Sequence, residues 1–307
     1  MSVRIDKQAL FELVRYKPHA GQLLVHESRA RYRVLVCGAR FGKSMAAAME
    51  VIAALLEPCE KSLGWCVAPT AELTKFTFER ARIALLEHMP HRVLEDDTRS
   101  SRLVIKNLGG GKSEVRAKST DSPTSLLGEA LDWFVIDEAS KVRDGVYESF
   151  LAPRLVDRKG WALIISTPRS VEDWLFAMWF RGQKGRDAEF ESWRFPSANN
   201  PHLDPEVIES ERRRLPAAVF EQEFLAHFEG EKFLSCEVCG GPSWDVRGVL
   251  ISMNASKEPR CPTCCMLVDA SGKTVVARRT DGTPRLLLIC GSGDPRSRAG
   301  VDLDTLT

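Results

Sequence analysis

Short apolar runs alternate with stretches of helical periodicity along the chain up to about residue 170. Four of these runs are apolar or β-branched at most positions: 33–37, 63–68, 133–136 and 161–165. Between them, segments 43–56 and 71–89 have the hydrophobic spacing of helices. Because the strands of a parallel sheet are covered on both faces, their hydrophobicity is continuous rather than alternating. The pattern therefore predicts an α/β fold with a central, mainly parallel sheet flanked by helices.

The pattern becomes helical after residue 200 and changes character near Gly230. Residues 204–206, Asp-Pro-Glu, combine an N-cap, a proline at the first helical position and an acid in the first turn, which predicts a helix start. A second helix is predicted over 216–228, and beyond it glycine, proline and cysteine dominate. We therefore predict three parts: a first domain at 1–230, a small module at 231–285 and a short tail at 286–307.

Composition and charge narrow the possible classes of protein. Of 307 residues, 44% are hydrophobic and 28% charged, which excludes a mostly disordered chain. The net charge is +1, so any site for a polyanion such as DNA must be a local patch. We find neither an apolar run of the ~20 residues that a membrane span needs nor a signal peptide at the N-terminus. These features predict a cytoplasmic protein.

The segment from Cys37 to Ser44 lies between a predicted strand and a predicted helix. It reads Cys-Gly-Ala-Arg-Phe-Gly-Lys-Ser, close to the phosphate-binding loop of P-loop NTPases, although the strict motif has glycine where Cys37 stands. In such a loop Lys43 reaches the phosphates and Ser44 holds Mg²⁺. The candidate ATP-binding residues are Cys37, Gly38, Ala39, Arg40, Phe41, Gly42, Lys43 and Ser44. The alternative is an ordinary turn that caps a helix.

Two further strand ends carry candidate chemistry. The run at 133–136 delivers Asp137 and Glu138, and a P-loop enzyme needs one carboxylate for Mg²⁺ and one to position and deprotonate water. The run at 161–165 ends at Ser166 and Thr167, whose hydroxyls could sense the γ-phosphate. Taken alone, an Asp-Glu pair after a strand is usually a solvent-exposed turn, but together with the phosphate loop the functional interpretation is the better one. For Ser166 and Thr167, a strand end closed by proline is an equally good interpretation.

In their order along the chain, these motifs resemble the ATPase portion of the large terminase subunit, the DNA-packaging motor of tailed bacteriophages. The resemblance covers roughly residues 10–233 and implies further roles. Gln22, in an entry segment that begins at Tyr16, would contact adenine. Arg40 would act as an arginine finger beside Lys43, Glu138 would be catalytic, and Ser166 and Thr167 would couple hydrolysis to movement. Leu127 departs from the family, which usually has arginine there.

The resemblance also implies cofactors, partners and a location. ATP and Mg²⁺ are the expected cofactors, and double-stranded DNA, the small terminase subunit and the portal protein are the expected partners. The subunit would form a homo-oligomeric ring on the portal, in the host bacterial cytoplasm, without membrane contact and without entering the mature virion. Two alternatives remain open: a helicase-like DNA-remodelling ATPase, and an inactive prophage remnant that only binds partners.

Members of this family continue into a nuclease domain of the RNase H type. Only 77 residues, 231–307, follow Gly230, so we expect no complete nuclease on this chain. The run at 286–290 and Asp294 resemble the first strand and first acid of such a nuclease. The nuclease would then be encoded elsewhere or be truncated here.

The C-terminal quarter contains two Cys-x-x-Cys pairs. Cys236 and Cys239 are separated by 21 residues from Cys261 and Cys264. An odd total of nine cysteines in a cytoplasmic chain favours metal or free thiols over a disulfide framework. Four thiolates at this spacing predict a structural Zn²⁺ site in a zinc-ribbon-like module, with Cys265 as an alternative to Cys264. The competing interpretation is a set of reduced thiols.

Overall fold

The computed structural model describes residues 5–183 and 187–230 in full, together with the backbone of short strands between 231 and 302. The chain divides into two compact units, residues 1–229 and 230–307. The described part of the first unit has seven α-helices: α1 (Lys7–Leu13), α2 (Ala20–Glu27), α3 (Lys43–Leu56), α4 (Ala71–His88), α5 (Trp174–Arg181), α6 (Pro205–Arg214) and α7 (Ala217–Glu223).

Eight strands of the first unit form one sheet: β1 (Tyr32–Cys37), β2 (Lys61–Ala68), β3 (Val93–Asp97), β4 (Arg102–Lys106), β5 (Lys112–Ser119), β6 (Trp133–Ile136), β7 (Trp161–Ser166) and β8 (Phe190–Phe195). Their order is β3-β4-β5-β2-β6-β7-β1-β8. The pairs from β5 to β8 are parallel, whereas β3 and β4 add an antiparallel edge. The predicted α/β fold with a mainly parallel sheet is confirmed.

The core lies at the centre of this sheet and under α3. Every residue of β6 is buried, as are all but the first residues of β1, β2 and β7. Twelve of the fourteen residues of α3 are buried as well, and its alanine-rich sequence allows close packing on the sheet. Since β1 and α3 are both held by the core, the loop that joins them has a fixed position.

The predicted helix over 216–228 is shorter than expected. Helix α7 ends at Glu223, and the carbonyl of Phe224 accepts a hydrogen bond from the backbone N–H of Ser197 at 2.7 Å. Ala226 has a positive φ of 59°, which a helix does not allow. A tertiary hydrogen bond and a left-handed residue therefore end the helix where the hydrophobic pattern continues.

The second unit is described only as strands: β9 (Glu231–Ser235), β10 (Pro242–Val246), β11 (Val249–Leu250), β12 (Ala277–Arg278), β13 (Pro284–Arg285), β14 (Leu287–Leu288) and β15 (Val301–Asp302). β9, β10 and β11 form an antiparallel sheet. The cysteines predicted to bind zinc lie outside the described residues: Cys236, Cys239, Cys261 and Cys264. Within the described part of the chain, none of the helices combines the length and apolar character needed to cross a membrane.

Candidate nucleotide-binding site

The predicted phosphate loop connects the carboxyl end of β1 to the start of α3. Gly42 is the N-cap of α3 and has a φ of +100°, a conformation that L side chains rarely adopt. A Cβ at this position would also lie 2.6 Å from Nε2 of Gln22. Arg40 has a φ of +62° and is exposed. Two left-handed residues therefore turn the chain sharply and direct the N-terminus of α3 towards the loop, as anion binding requires.

Lys43 is the first residue of α3 and is only 8% exposed. Its Nζ donates to the carbonyl oxygens of Cys37 at 3.1 Å and Gly38 at 3.2 Å, and to Oγ1 of Thr167 at 3.2 Å. The ammonium group thus lies between the end of β1 and the end of β7. Its position there concentrates positive charge on the inner side of the loop.

Asp137 follows β6 and is 2% exposed. Its Oδ2 accepts a hydrogen bond from the Thr77 hydroxyl at 2.8 Å, and its Oδ1 accepts the backbone N–H of Glu138 at 2.9 Å. Burial raises the pKa of the Asp137 carboxyl, a hydrogen bond from the Ser44 side chain opposes that rise, and the nearby Glu138 charge adds to it. The side chains of Ser44 and Asp137, the predicted metal-binding pair, therefore lie close together.

Glu138 turns away from Asp137 because its backbone is left-handed, with φ 54° and ψ 42°. Non-glycine residues in this conformation cost about 1–3 kcal/mol and cluster at functional sites. The Glu138 carboxylate lies 3.0 Å from Nζ of Lys141 and lines a cleft beside the phosphate loop. The two adjacent acids therefore have different environments: Asp137 is buried, and Glu138 faces the cleft.

Ser166 and Thr167, the predicted coupling residues, occupy different positions at the end of β7. The Ser166 side chain is fully buried; its Oγ accepts the backbone N–H of Ser140 at 3.0 Å and donates to the Ser140 hydroxyl at 2.8 Å. Thr167 instead lines the cleft and accepts from Lys43. Ser166 thus contacts the turn that carries the acidic pair, and Thr167 contacts the phosphate loop.

The cleft has a volume of about 490 Å³. Its wall includes five of the predicted residues from the loop and α3, which are Ala39, Arg40, Gly42, Lys43 and Ser44. It also contains basic residues that sequence reasoning missed: Arg80, Lys141 and Arg169. With five Lys or Arg and two Glu side chains on its described wall, the cleft favours a polyanion. Only the position of Arg169, directly after the Thr167-Pro168 strand end, could have drawn attention to it.

Four predicted ATP-binding residues are not among the described residues that line this cleft: Gln22, Cys37, Gly38 and Phe41. The Gln22 side chain is 4% exposed, and its Nε2 donates to the Gly42 carbonyl at 3.1 Å. Phe41 is fully buried and stacks on Phe195 with ring centroids 5.1 Å apart. Cys37 is buried too, which raises the pKa of its thiol. The side chains of Gln22, Phe41 and Cys37 are therefore buried beneath the loop and support its backbone.

Hydrogen bonds from the end of α7 and from segment 197–200 also hold the phosphate loop in place. The N–H of Ala39 donates to the carbonyl of Glu223 at 2.6 Å, and the Ala39 carbonyl accepts from the Ser197 hydroxyl at 2.6 Å. The Asn200 amide donates to the Arg40 carbonyl at 2.7 Å. Residues at the end of α7 and in segment 197–200 therefore contact the phosphate loop directly.

The described residues near the cleft offer oxygen ligands for a metal ion. No group of three or more His, Cys, Asp or Glu side chains within the described ranges is arranged to hold a metal ion. A divalent cation here would depend on Ser44, Asp137 and oxygens of a bound phosphate. Mg²⁺ is commonly bound in this way, through one or two protein oxygens and the substrate.

The family of terminase large subunits, T4likevirus type, N-terminal part, matches residues 34–233. The matched segment begins within β1, includes the residues that line the cleft and ends just past the first unit. The chain belongs to this family. The terminase large subunit of Thermus virus P23-45 is 33% identical over 246 residues, which are 71% of this chain and 50% of that protein. The chain thus spans about half the length of the curated terminases it matches.

Solved terminase structures have the same fold. The large terminase ATPase domain of Thermus phage P74-26 is 31% identical, with a TM-score of 0.67 over 74% of this chain and 99% of that one. The large terminase of bacteriophage D6E in complex with ADP is 15% identical, with a TM-score of 0.56 over 69% of this chain and 54% of that one. The first unit is therefore a terminase ATPase domain.

Proposed function

We propose that this chain is the ATP-hydrolysing motor subunit of a phage terminase and translocates double-stranded DNA into the procapsid. The observation that carries the proposal is that Lys43, Ser44 and Glu138 line one basic cleft, while Asp137 lies buried beside Ser44. These are the groups that hydrolysis of a nucleoside triphosphate needs. Membership of the terminase family supplies the DNA-packaging context.

ATP binds in the cleft with its phosphates against the loop. Lys43 and Arg40 offset the phosphate charge, and Lys43 exchanges its contacts with loop carbonyls for contacts with phosphate oxygens. The D6E terminase, which shares the fold, was solved in complex with ADP. Gln22 acts on the nucleotide indirectly. Its side-chain amide donates a hydrogen bond to the Gly42 carbonyl and so positions the phosphate loop.

The residues around Asp137 fit Mg²⁺. A buried carboxylate with a raised pKa beside a hydroxyl is a hard-oxygen site in which a cation's charge offsets the cost of burial. Ser44 and Asp137 would hold the ion, which supplies charge stabilisation on the β- and γ-phosphate oxygens when bound. Thr77 fixes the Asp137 carboxylate through its 2.8 Å hydrogen bond.

Glu138 is the general base. The oxygen of an attacking water forms a bond to the γ-phosphorus, the bond from that phosphorus to the β–γ bridging oxygen breaks, and the water proton passes to the Glu138 carboxylate. Lys141 holds this carboxylate at the cleft through their 3.0 Å contact. The strained left-handed backbone of Glu138 directs its side chain away from Asp137. Asp137 can therefore bind the metal while Glu138 accepts the proton.

Ser166 and Thr167 couple hydrolysis to movement. Thr167 contacts Lys43, which holds the phosphates, and Ser166 contacts Ser140, which follows the acidic pair. Loss of the γ-phosphate alters both contacts at once and shifts the end of β7. Arg169, which donates to the Ser140 carbonyl at 3.3 Å, extends this connection to the following segment.

The assembly we propose is a homo-oligomeric ring on the portal protein, in the host bacterial cytoplasm and apart from any membrane. It receives double-stranded DNA from the small terminase subunit and is absent from the mature virion. Its support is the family, because the partners of a packaging motor are common to terminases.

Displacement of a third strand from linear duplex DNA tests the motor. We expect ATP-dependent release of a triplex-forming oligonucleotide by the wild-type chain and none by Lys43→Ala, with an exposed-lysine variant, Lys17→Ala, as the matched control. Separation of a forked duplex without triplex release would instead identify a helicase-like remodeller. Absence of ATP turnover together with absence of triplex release would identify a remnant that only binds partners.

The cysteine pairs of the C-terminal region form a second proposal, which rests on their spacing alone. Cys236, Cys239, Cys261 and Cys264 hold one structural Zn²⁺, because four thiolates fill a tetrahedral site. Metal analysis of the purified chain should find about one equivalent of zinc, lost in Cys236→Ser/Cys261→Ser and kept in Cys290→Ser. A wild-type chain without zinc would contradict this proposal.

A further inference from the structure

A second cleft, of about 540 Å³, lies at the other end of the parallel strands from the nucleotide cleft. It is bordered by the amino-terminal ends of parallel strands, represented by Arg33 in β1, Lys61 in β2, Trp133 in β6 and Trp161 in β7. The catalytic residues proposed above lie instead at the carboxyl ends of these strands. The volume is in the range of small-molecule sites.

Basic side chains outnumber acidic ones on the described wall of this cleft. The six basic residues are Lys7, Arg29, Arg31, Arg33, Lys61 and Lys159, and the three acidic residues are Glu50, Glu57 and Asp132. Two of the acids have basic partners already: Glu50 pairs with Lys7 and Arg33, and Asp132 with Arg158. The remaining positive charge is therefore available to a ligand.

The unpaired charge is carried by Arg29, Lys61 and Lys159. All three side chains are exposed, and none of them has a hydrogen bond or ion pair within the described part of the chain. They come from three separate segments, at the starts of β1, β2 and β7. Like charges brought together by the fold repel one another unless an anion lies between them.

Unmet hydrogen-bond donors lie on the same wall. Arg33 is 4% exposed; its Nη1 pairs with Glu50, and its guanidinium lies 4.6 Å from the centre of the Trp161 ring. Its Nε is buried and has no partner among the described residues, and the same holds for Nε1 of Trp133. Both atoms are enclosed by protein, so Arg33 acts on a ligand in the cleft through its charge rather than through a hydrogen bond from Nε.

We propose that this cleft binds a phosphate-bearing anion. Phosphate oxygens accept several hydrogen bonds at once and suit both lysine and arginine donors. Lys61, Lys159 and Arg29 bind the anion from the rim, and Arg33 supplies a fixed positive charge on the wall. The anion is either a free phosphate compound or a phosphate of a nucleic-acid backbone, which share this chemistry.

Calorimetric titration of inorganic pyrophosphate into the full chain tests the site, with ADP in excess to fill the nucleotide cleft. The variant is Lys61→Gln/Lys159→Gln, and the matched control is Lys17→Gln/Lys106→Gln, which removes two exposed lysines that do not line the cleft. We expect the variant to weaken pyrophosphate binding by about tenfold and the control to change it by less than about twofold, with an affinity that falls as salt rises. Melting curves of both variants confirm that they fold.

The same titration with a linear DNA duplex separates the two sources of phosphate. If duplex binding depends on the lysine pair and pyrophosphate gives no heat, the ligand is a nucleic-acid backbone. If pyrophosphate binding depends on the pair and duplex binding does not, the ligand is a free phosphate compound. Equal effects of the variant and the control on both probes would overturn the proposal.

Discussion

Asp137 is a single residue on which stability and chemistry make opposite demands. Burial raises the pKa of its carboxyl above the ordinary value of 3.8, so protonation of Asp137 is more favourable in the folded chain than in the unfolded one. Hydrolysis requires the ionised form, because a carboxylate binds Mg²⁺ and a carboxylic acid does not. The Thr77 and Ser44 hydroxyls reduce the cost of the charge without removing it.

Replacing Asp137 with Asn should stabilise the nucleotide-free protein and abolish its activity. A raised folded-state pKa means that the stability penalty is absent below pH 3.8 and grows as the pH rises through the folded-state pKa. We expect Asp137→Asn to gain on the order of 1 kcal/mol at pH 8, with less gain towards pH 4. ATP hydrolysis with Mg²⁺ should fall by about 100-fold or more.

Urea unfolding at pH 5 and pH 8, with ATPase assays beside it, measures both effects. The matched control is Asp157→Asn, since Asp157 is exposed and lies outside the cleft. A variant less stable than wild type at pH 8, or one that keeps wild-type hydrolysis, would contradict this account of Asp137.

At the scale of elements, one buried carboxylate joins the helices behind the phosphate loop. Glu50 of α3 accepts hydrogen bonds from Lys7 of α1 at 2.7 Å, from His26 of α2 at 2.7 Å and from Arg33 of β1. Burial by itself would raise the pKa of the Glu50 carboxyl, but Arg33, His26 and Lys7 hold it below its ordinary value. The network therefore fixes β1 and α3, which carry the loop.

Glu50→Gln should destabilise the protein by about 3 kcal/mol at pH 7, because it leaves Arg33 buried without a counter-charge. A lowered folded-state pKa gives stability that is present above the unfolded-state pKa and is lost as the pH falls through the folded-state value. The difference between wild type and variant should therefore narrow below about pH 4.

Chemical denaturation across this pH range checks the Glu50 prediction, with the exposed Glu87→Gln as the control in another helix. A loss of stability that stays the same from pH 7 to pH 3 would show that packing, rather than charge, explains the role of Glu50.

At the scale of the whole molecule, the sequence predicts the centre of the fold better than its edges. Strands β1, β2, β6 and β7 and helices α3 and α4 coincide with the predicted segments because burial on both faces makes their hydrophobicity continuous. Strand β5 was missed because its buried Ser113 and Val115 alternate with charged Glu114 and Arg116, and β3 was missed because it is mostly exposed. Neither strand has the continuous apolar run that marks the central strands.

The residues of the candidate site also differ in how well the sequence predicts them. Lys43, Ser44, Asp137 and Glu138 are predicted from the sequence because they lie within two residues of a strand end or a helix start, in recognisable motifs. Arg80 is not, since it is one basic residue among several on α4 and only the tertiary fold brings it to the cleft. Burial also decides which loop residues face a ligand, and a linear motif contains no information on burial.

Single-turnover hydrolysis by Glu138→Gln, measured together with ATP affinity, tests the central claim most directly, with Glu148→Gln as an exposed control. We predict that hydrolysis falls by about 100-fold or more, that ATP affinity stays within about twofold of wild type, and that the control changes neither. Linear duplex DNA should stimulate the wild type and not Glu138→Gln. Hydrolysis by Glu138→Gln at the wild-type rate would contradict the assignment of Glu138 as the base and, with it, the mechanism proposed for this motor.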